Sequence, residues 1–174
     1  MARGHDHDQA TLLASAPFGL ALAPLLGFQA GLIGTVAFVF GGLWLSPDLD
    51  TRSKPLHRWG PLRWIWWPYR RLLPHRSLFS HGPLIGMALR LLWLLGCSWM
   101  LWELAHGLAQ LLGGSSLPKT AEIAGNLMQL CREHPRPLLA AALGLEASVW
   151  LHLLLDGDPL PVEWHRRYRN GRRR

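Results

Sequence analysis

Histidine and aspartate recur in four short segments of this chain: His5, Asp6, His7 and Asp8; Asp48 and Asp50; His75 and His81; His152 and Asp156. Neutral imidazoles and ionised carboxylates hold divalent transition metals, and a mixture of the two favours Zn, Mn, Fe or a two-metal site over a closed structural zinc site. The spacings suit ligation. His152 and Asp156 are four apart, which on a helix places both on one face. Asp48 and Asp50 flank Leu49 just after Pro47, where an extended backbone points both carboxylates the same way. His75 and His81 bracket a short connection that leads into a helix. Each piece alone has an ordinary structural explanation: a His–Asp hydrogen bond, a capped turn, a solvated N-terminal tail, or surface histidines beside Arg76. No Ser–His–Asp or Cys–His nucleophile arrangement accompanies them. Cys97 lies in an apolar run and Cys131 in a polar connection, which reads as two free thiols in a reducing compartment.

Their joint placement depends on the elements that carry them. The apolar tract Thr11 to Leu45 is about twice the ~20 residues one helix needs to cross a bilayer core. It reads as a helical hairpin, with helices near 9–26 and 30–45 and a turn at Gly27 and Gln29. Five prolines within Ser46 to Pro74 argue against a long helix there, so this stretch reads as a structured loop with a short Trp-rich helical turn. Pro83 to Leu112 is a third long helix, ended by Gly113 to Leu117. After a polar, partly amphipathic connection through Arg136, Pro137 to Leu155 is the fourth. The expected fold is all-α: a single domain over 1–174, with about four apolar helices in an up-and-down bundle, embedded in a membrane, and a basic tail at 165–174. Alternating helix direction brings all four His/Asp segments to one end of such a bundle. Arg90 and Glu146, charged residues inside the third and fourth apolar helices, are candidate partners across facing helices. A soluble bundle of hydrophobic helices is the competing reading, and it leaves the convergence intact.

The formal charge of +7 is unevenly spread. No charged residue occurs from Gln9 to Pro47, whereas Thr51 to Arg76 and His165 to Arg174 are dense in arginine. This segregation suits contacts of the loop and tail with anionic lipid headgroups. Clustered arginine with interleaved Trp59, Trp64, Trp66, Trp67 and Tyr69 also resembles a nucleic-acid surface. That reading ranks second because it leaves the uncharged stretches unexplained. By the positive-inside rule the basic loop, the tail and the metal site face the cytoplasm. The N-terminal apolar run exceeds a signal-peptide core and lacks a small-residue cleavage site, so it is expected to stay in the mature protein.

Several of these segments also resemble a known family. SerProAspLeuAsp (46–50), TrpGlyProLeuArgTrpIleTrpTrpProTyrArg (59–70), HisArgSerLeuPheSerHisGlyPro (75–83) and HisLeuLeuLeuAsp (152–156) are similar to an uncharacterised prokaryotic metal-binding protein family. That family in turn resembles the membrane-bound metal-dependent hydrolases, whose pattern is an N-terminal His, a ProAspxAsp turn, a HisArg…His segment and a HisxxxAsp helix. The resemblance implies metal ligands among His5, Asp48, Asp50, His75, His81, His152 and Asp156. The chain departs from the hydrolase pattern at Thr51, where a His often follows the AspxAsp, and in a HisArg…His spacing longer by one residue. The leading functional expectation is a metal-dependent hydrolase of a phosphate ester or lipid headgroup, with Arg76 or other loop arginines stabilising an anionic transition state. A non-catalytic metal-handling membrane protein is the second, and a nucleic-acid-binding module the third.

Overall fold

With long apolar runs and no strand-type alternation, the chain forms helices throughout. The computed structural model describes residues 4–114 and 117–157, with no strand among the described residues, and the basic tail expected at 165–174 lies outside them. Helix α1 spans Gly4–Leu26 and α2 spans Phe28–Leu43. Short pieces follow: a 3-10 turn at Pro47–Asp50, α3 (Lys54–Arg58), a second 3-10 turn at Gly60–Ile65, α4 (Trp66–Leu72) and α5 (Leu78–His81). The remaining helices are α6 (Ile85–Leu111), α7 (Thr120–Glu133) and α8 (Pro135–Leu155). Four segments, namely α1, Phe28–Asp50, α6 and α8, are long and apolar enough to cross a membrane. Helix α1 starts earlier than expected, so the HisAspHisAsp stretch forms its first turns.

Two compact units make up the chain: Met1–Arg90 with Arg136–Arg174, and Leu91–Pro135. In the first unit the packing is set by small residues. Gly27, at φ 99°, lets the chain reverse between α1 and α2, a conformation that side chains with a Cβ rarely adopt. A Cβ added at Gly31 would stand 2.7 Å from the Gly19 carbonyl oxygen, and one at Gly144 would collide with the Gly34 carbonyl. Helix α2 therefore lies directly against α1 on one side and α8 on the other, the close backbone approach that small residues permit. Along α1 the buried positions are His7, Thr11, Ser15 and Gly19, spaced by four on one face. Its leucines Leu12, Leu13, Leu20 and Leu25 point outward and are exposed.

The Trp/Arg loop is fastened to the end of this hairpin. Arg58 donates from Nη1 to the Leu43 carbonyl at 2.9 Å and from Nη2 to Asp8 of α1. A cation at the last carbonyls of α2 also complements the helix dipole. Trp59 donates from Nε1 to the Trp44 carbonyl at 3.0 Å. Its ring meets the fully buried Trp66 edge-on at 5.3 Å, and Trp66 meets Tyr69 the same way at 5.4 Å.

Arg90 and Glu146 form no salt bridge with one another among the described residues. The buried Arg90 donates to the Ser80 carbonyl at 2.8 Å, and Glu146 accepts from the Leu84 N–H at 2.8 Å. Arg90 thus holds a carbonyl at the end of α5 and Glu146 an N–H in the connection into α6, backbone groups left over at helix ends that need partners. In the second unit, Trp102 donates to the Pro118 carbonyl at 3.2 Å, and Glu103 accepts from Trp99 and Thr120, tying the end of α6 to the start of α7.

Candidate metal centre

Three local constructions set the ligands. Ser46 caps the Pro47–Asp50 turn by accepting from the Asp48 N–H, and proline stands at its first position. An extended stretch with both carboxylates pointing the same way is expected from sequence; the turn is 3-10, and Asp48 and Asp50 diverge. They instead take hold of His81 from opposite edges of its ring. Asp48 Oδ1 lies 3.7 Å from His81 Nε2, and Asp50 Oδ2 lies 3.4 Å from His81 Nδ1. The second construction is the Ser77/Ser80 capping box that starts α5 and presents His81 at its last position. Arg76 precedes it at φ 60°, a reversal that is strained for a residue with a side chain. In the third, Gly157 at φ 70° ends α8 with its N–H on the Leu154 carbonyl, leaving His152 and Asp156 one turn apart at the helix end.

His152 Nε2 lies 3.7 Å from Asp48 Oδ1 and 3.8 Å from Asp156 Oδ2, and His7 Nε2 lies 3.3 Å from Asp156 Oδ1. The His7 and His152 rings stack at 4.1 Å. Three overlapping groups result, each with ligand atoms within 4.8 Å of one another: His7, His152 and Asp156; Asp48, His81 and His152; Asp50, His75 and His81. Six of the seven residues implied by the resemblance are thereby brought together. His5 is not: it is exposed on α1, while His7, two residues on and so across the helix, is buried and takes its place. Asp8, beside it, is engaged by Arg58 and Lys54. The sequence reading of His7 lacked only the register of α1. The buried spacing His7, Thr11, Ser15, Gly19 carries that register.

The nitrogen roles can be assigned from the partners. His81 Nδ1 is 3.0 Å from Ser80 Oγ, and His152 Nδ1 is 3.5 Å from Ser46 Oγ. With Nδ1–H turned to a serine, each ring directs a bare Nε2 toward Asp48. Both Nε2 atoms are buried without a hydrogen-bond partner among the described residues. Orphaned buried nitrogens are costly, and a ligating histidine characteristically donates its other ring N–H to a nearby acceptor. The nitrogen–oxygen separations of 3.3–3.8 Å exceed a good hydrogen bond. They sit close to the edge of a ligand tetrahedron, about 3.3 Å for ~2.0 Å bonds. Asp48, His81 and His152 thus fit a metal, and His7, His152 and Asp156 form an adjoining set that shares His152. Asp50 has a second role available: its side chain is fully buried, with Oδ1 2.9 Å from His75 Nδ1 and Oδ2 facing His81, which suits a carboxylate that orients histidines.

Among the described residues, Asp48, Asp50 and Asp156 are contacted by one arginine, Arg76, whose Nη2 donates to Asp156 Oδ2 at 3.1 Å. Among these described groups negative charge is in excess, which suits a divalent cation. Burial opposes charging His81, but the hydrogen-bonding and charge of Asp48 and Asp50 outweigh it and hold its pKa above the ordinary histidine value. A proton there balances the carboxylates when no metal does.

The family model described as "Uncharacterized metal-binding protein (DUF2227)" matches residues 2–168. A curated protein of Aquifex aeolicus (strain VF5), described as an uncharacterized protein, is 37% identical over 60 residues. That match covers 34% of this chain and 42% of the relative's length. No solved structure matches the chain.

Proposed function

The chain belongs to this family of metal-binding proteins, and we propose that it is a membrane-embedded, metal-dependent hydrolase of phosphate esters, working at the cytoplasmic face on lipid headgroups or similar substrates. The observation that carries the reading is the asymmetry of the centre. His81, His152, Asp50 and Asp156 are buried at their side chains, whereas Asp48 is 29% and His75 43% exposed. One side is thus open to a substrate, as a catalytic site needs and a closed structural site lacks. A bound divalent ion of the Zn, Mn or Fe type would supply Lewis acidity and acidify water at that open side. The chain's residues do the rest. Asp50 holds the His75 and His81 rings in orientation, and Arg76, fixed by Asp156 at the rim, offers a guanidinium to the charge that develops on a phosphoryl oxygen.

Membrane residence is supported by the outward leucines of α1 and the small or polar stripe it buries, the reverse of a soluble helix. The protein is expected to sediment with membranes and to be released by detergent but not by high salt. Recovery in the soluble fraction after low-salt lysis would sink the membrane assignment.

The catalytic assignment is tested by loading detergent-purified protein with Zn, Mn or Fe(II) and measuring phosphate release from p-nitrophenyl phosphate and from short-chain phosphatidic acid. Release should depend on metal, stop on chelation, and fall roughly 100-fold in Arg76→Gln, as for loss of one donor to a developing anion. The stacking of His7 on His152 supports a second reading, non-catalytic metal handling, because His7 can help close the coordination sphere. Tight metal retention with no phosphate release for any of the three metals would favour that reading.

A further inference from the structure

The Trp/Arg loop builds a cleft of about 360 Å³ that shares no residue with the metal centre. Its lining is Arg52, His57, Arg63 and Arg70 with Trp64 and Trp67, over the buried Leu56. We propose that this cleft is a binding site for a phosphate monoester group, carried by a lipid headgroup or free in solution.

Three features carry the proposal. The cleft has no acidic lining residue, and Arg52, Arg63 and Arg70 make no salt bridge among the described residues, so three guanidinium charges converge without internal compensation. Like charges gathered this way repel unless an anion joins them, and a dianionic monoester answers such a set better than a singly charged diester. Second, Arg70 Nε is buried with no hydrogen-bond partner among the described residues. A buried guanidinium donor left unmet is costly, so the Arg70 charge at the cleft is not answered among the described residues. Third, the volume falls within the ordinary range of small-ligand sites.

The aromatic residues favour a ligand at the membrane surface. Trp64 and Trp67 are 67% and 48% exposed at the mouth, with the Arg63 guanidinium 5.8 Å from the Trp64 ring and that of Arg71 4.6 Å from the Trp67 ring. Tryptophan in this setting sits at headgroup level, and cation–π contact restrains the arginines beside it. The site is one of binding and does not require hydrolysis at the metal centre.

The test uses full-length protein, purified with its metal in non-ionic detergent and titrated calorimetrically with dihexanoyl phosphatidic acid, dihexanoyl phosphatidylcholine and inorganic phosphate. Phosphatidic acid should bind, phosphatidylcholine should not, and affinity should fall with added salt. Arg52→Gln with Arg63→Gln, both at exposed side chains, should weaken phosphatidic acid binding on the order of 100-fold while leaving metal content unchanged. Arg172→Gln, Arg173→Gln and Arg174→Gln together should leave it intact. Competition by inorganic phosphate at equal affinity assigns the site to soluble monoesters, and weak competition assigns it to headgroups; either supports the cleft. Unchanged affinity in the cleft double variant, equal binding of phosphatidylcholine, or loss of binding only in the tail variant overturns it, as does tighter binding of single-stranded RNA at the same arginines. Metal content and Asp48→Asn binding separate this result from the hydrolase reading, because loss of the metal should leave phosphatidic acid binding in place.

Discussion

His152→Ala and Asp48→Asn are each expected to purify with less than about a tenth of an equivalent of metal, because removing a direct ligand exceeds the roughly 10–100-fold loss typical of an orienting partner. Both residues meet at one point: His152 Nε2 and Asp48 Oδ1 lie 3.7 Å apart, on segments joined only through the fold. His81→Ala should lose the metal too, but it also leaves the fully buried Asp50 carboxylate with His75 as its one remaining histidine partner among the described residues, which destabilises the fold itself. The two conservative positions therefore carry the test. Asp50→Asn is expected to stay metal-loaded at saturating metal with an affinity lowered by about 10–100-fold, the signature of an orienting group. The sharpest comparison lies on α1. His7→Ala should lower affinity and His5→Ala should not, since only His7 is turned toward Asp156. Elemental analysis after dialysis against a weak chelator reads all of these, with His106→Ala and His134→Ala as controls. A full equivalent of metal in His152→Ala, or loss of metal in His5→Ala, would show that the convergence of these segments is not a metal centre.

The comparison between His5 and His7 also marks where the sequence was legible and where it was not. Composition and proline placement were enough for an all-helical chain with four long apolar helices, and their alternation placed the His/Asp segments together. They could not give the rotation of α1, because a HisAspHisAsp stretch read as the end of a tail has no face. Once α1 starts at Gly4 the choice is forced: His7 continues the buried Thr11, Ser15, Gly19 stripe, and a residue two positions away cannot. That stripe was visible as small and polar residues at intervals of four in an apolar run. The Asp48–Asp50 turn was misread for a different reason. Alternation predicts side-chain direction only if the backbone is extended, and the Ser46 cap with Pro47 winds it into a 3-10 turn instead. The outcome for Arg90 and Glu146 depended on tertiary structure, since neither the carbonyl of Ser80 nor the N–H of Leu84 advertises in sequence that it needs a side-chain partner.

Metal affinity is expected to fall steeply on acidification, and the metal-free protein should respond to pH in the opposite sense. The reason is the raised pKa of His81. In the metal-free fold its imidazolium lies between Asp48 and Asp50, a stabilising arrangement fully present below the unfolded-state histidine pKa of about 6.5 and lost as pH rises through the higher folded value. A metal requires the same ring to be neutral, so binding must expel that proton. Affinity should then change about tenfold per pH unit for each proton displaced, and by more where a second ligand is also protonated. Affinity is therefore expected to be lower at pH 5.5 than at pH 7.5. Thermal unfolding in detergent should find metal-free protein losing stability from pH 6 to 8 while metal-loaded protein gains it, so that the stabilisation contributed by metal widens with pH. The crossing arises because one imidazole serves two mutually exclusive cations, a proton in the empty site and a divalent ion in the filled one. Metal affinity independent of pH over this range, or parallel pH profiles for the two forms, would mean that His81 Nε2 is not a ligand.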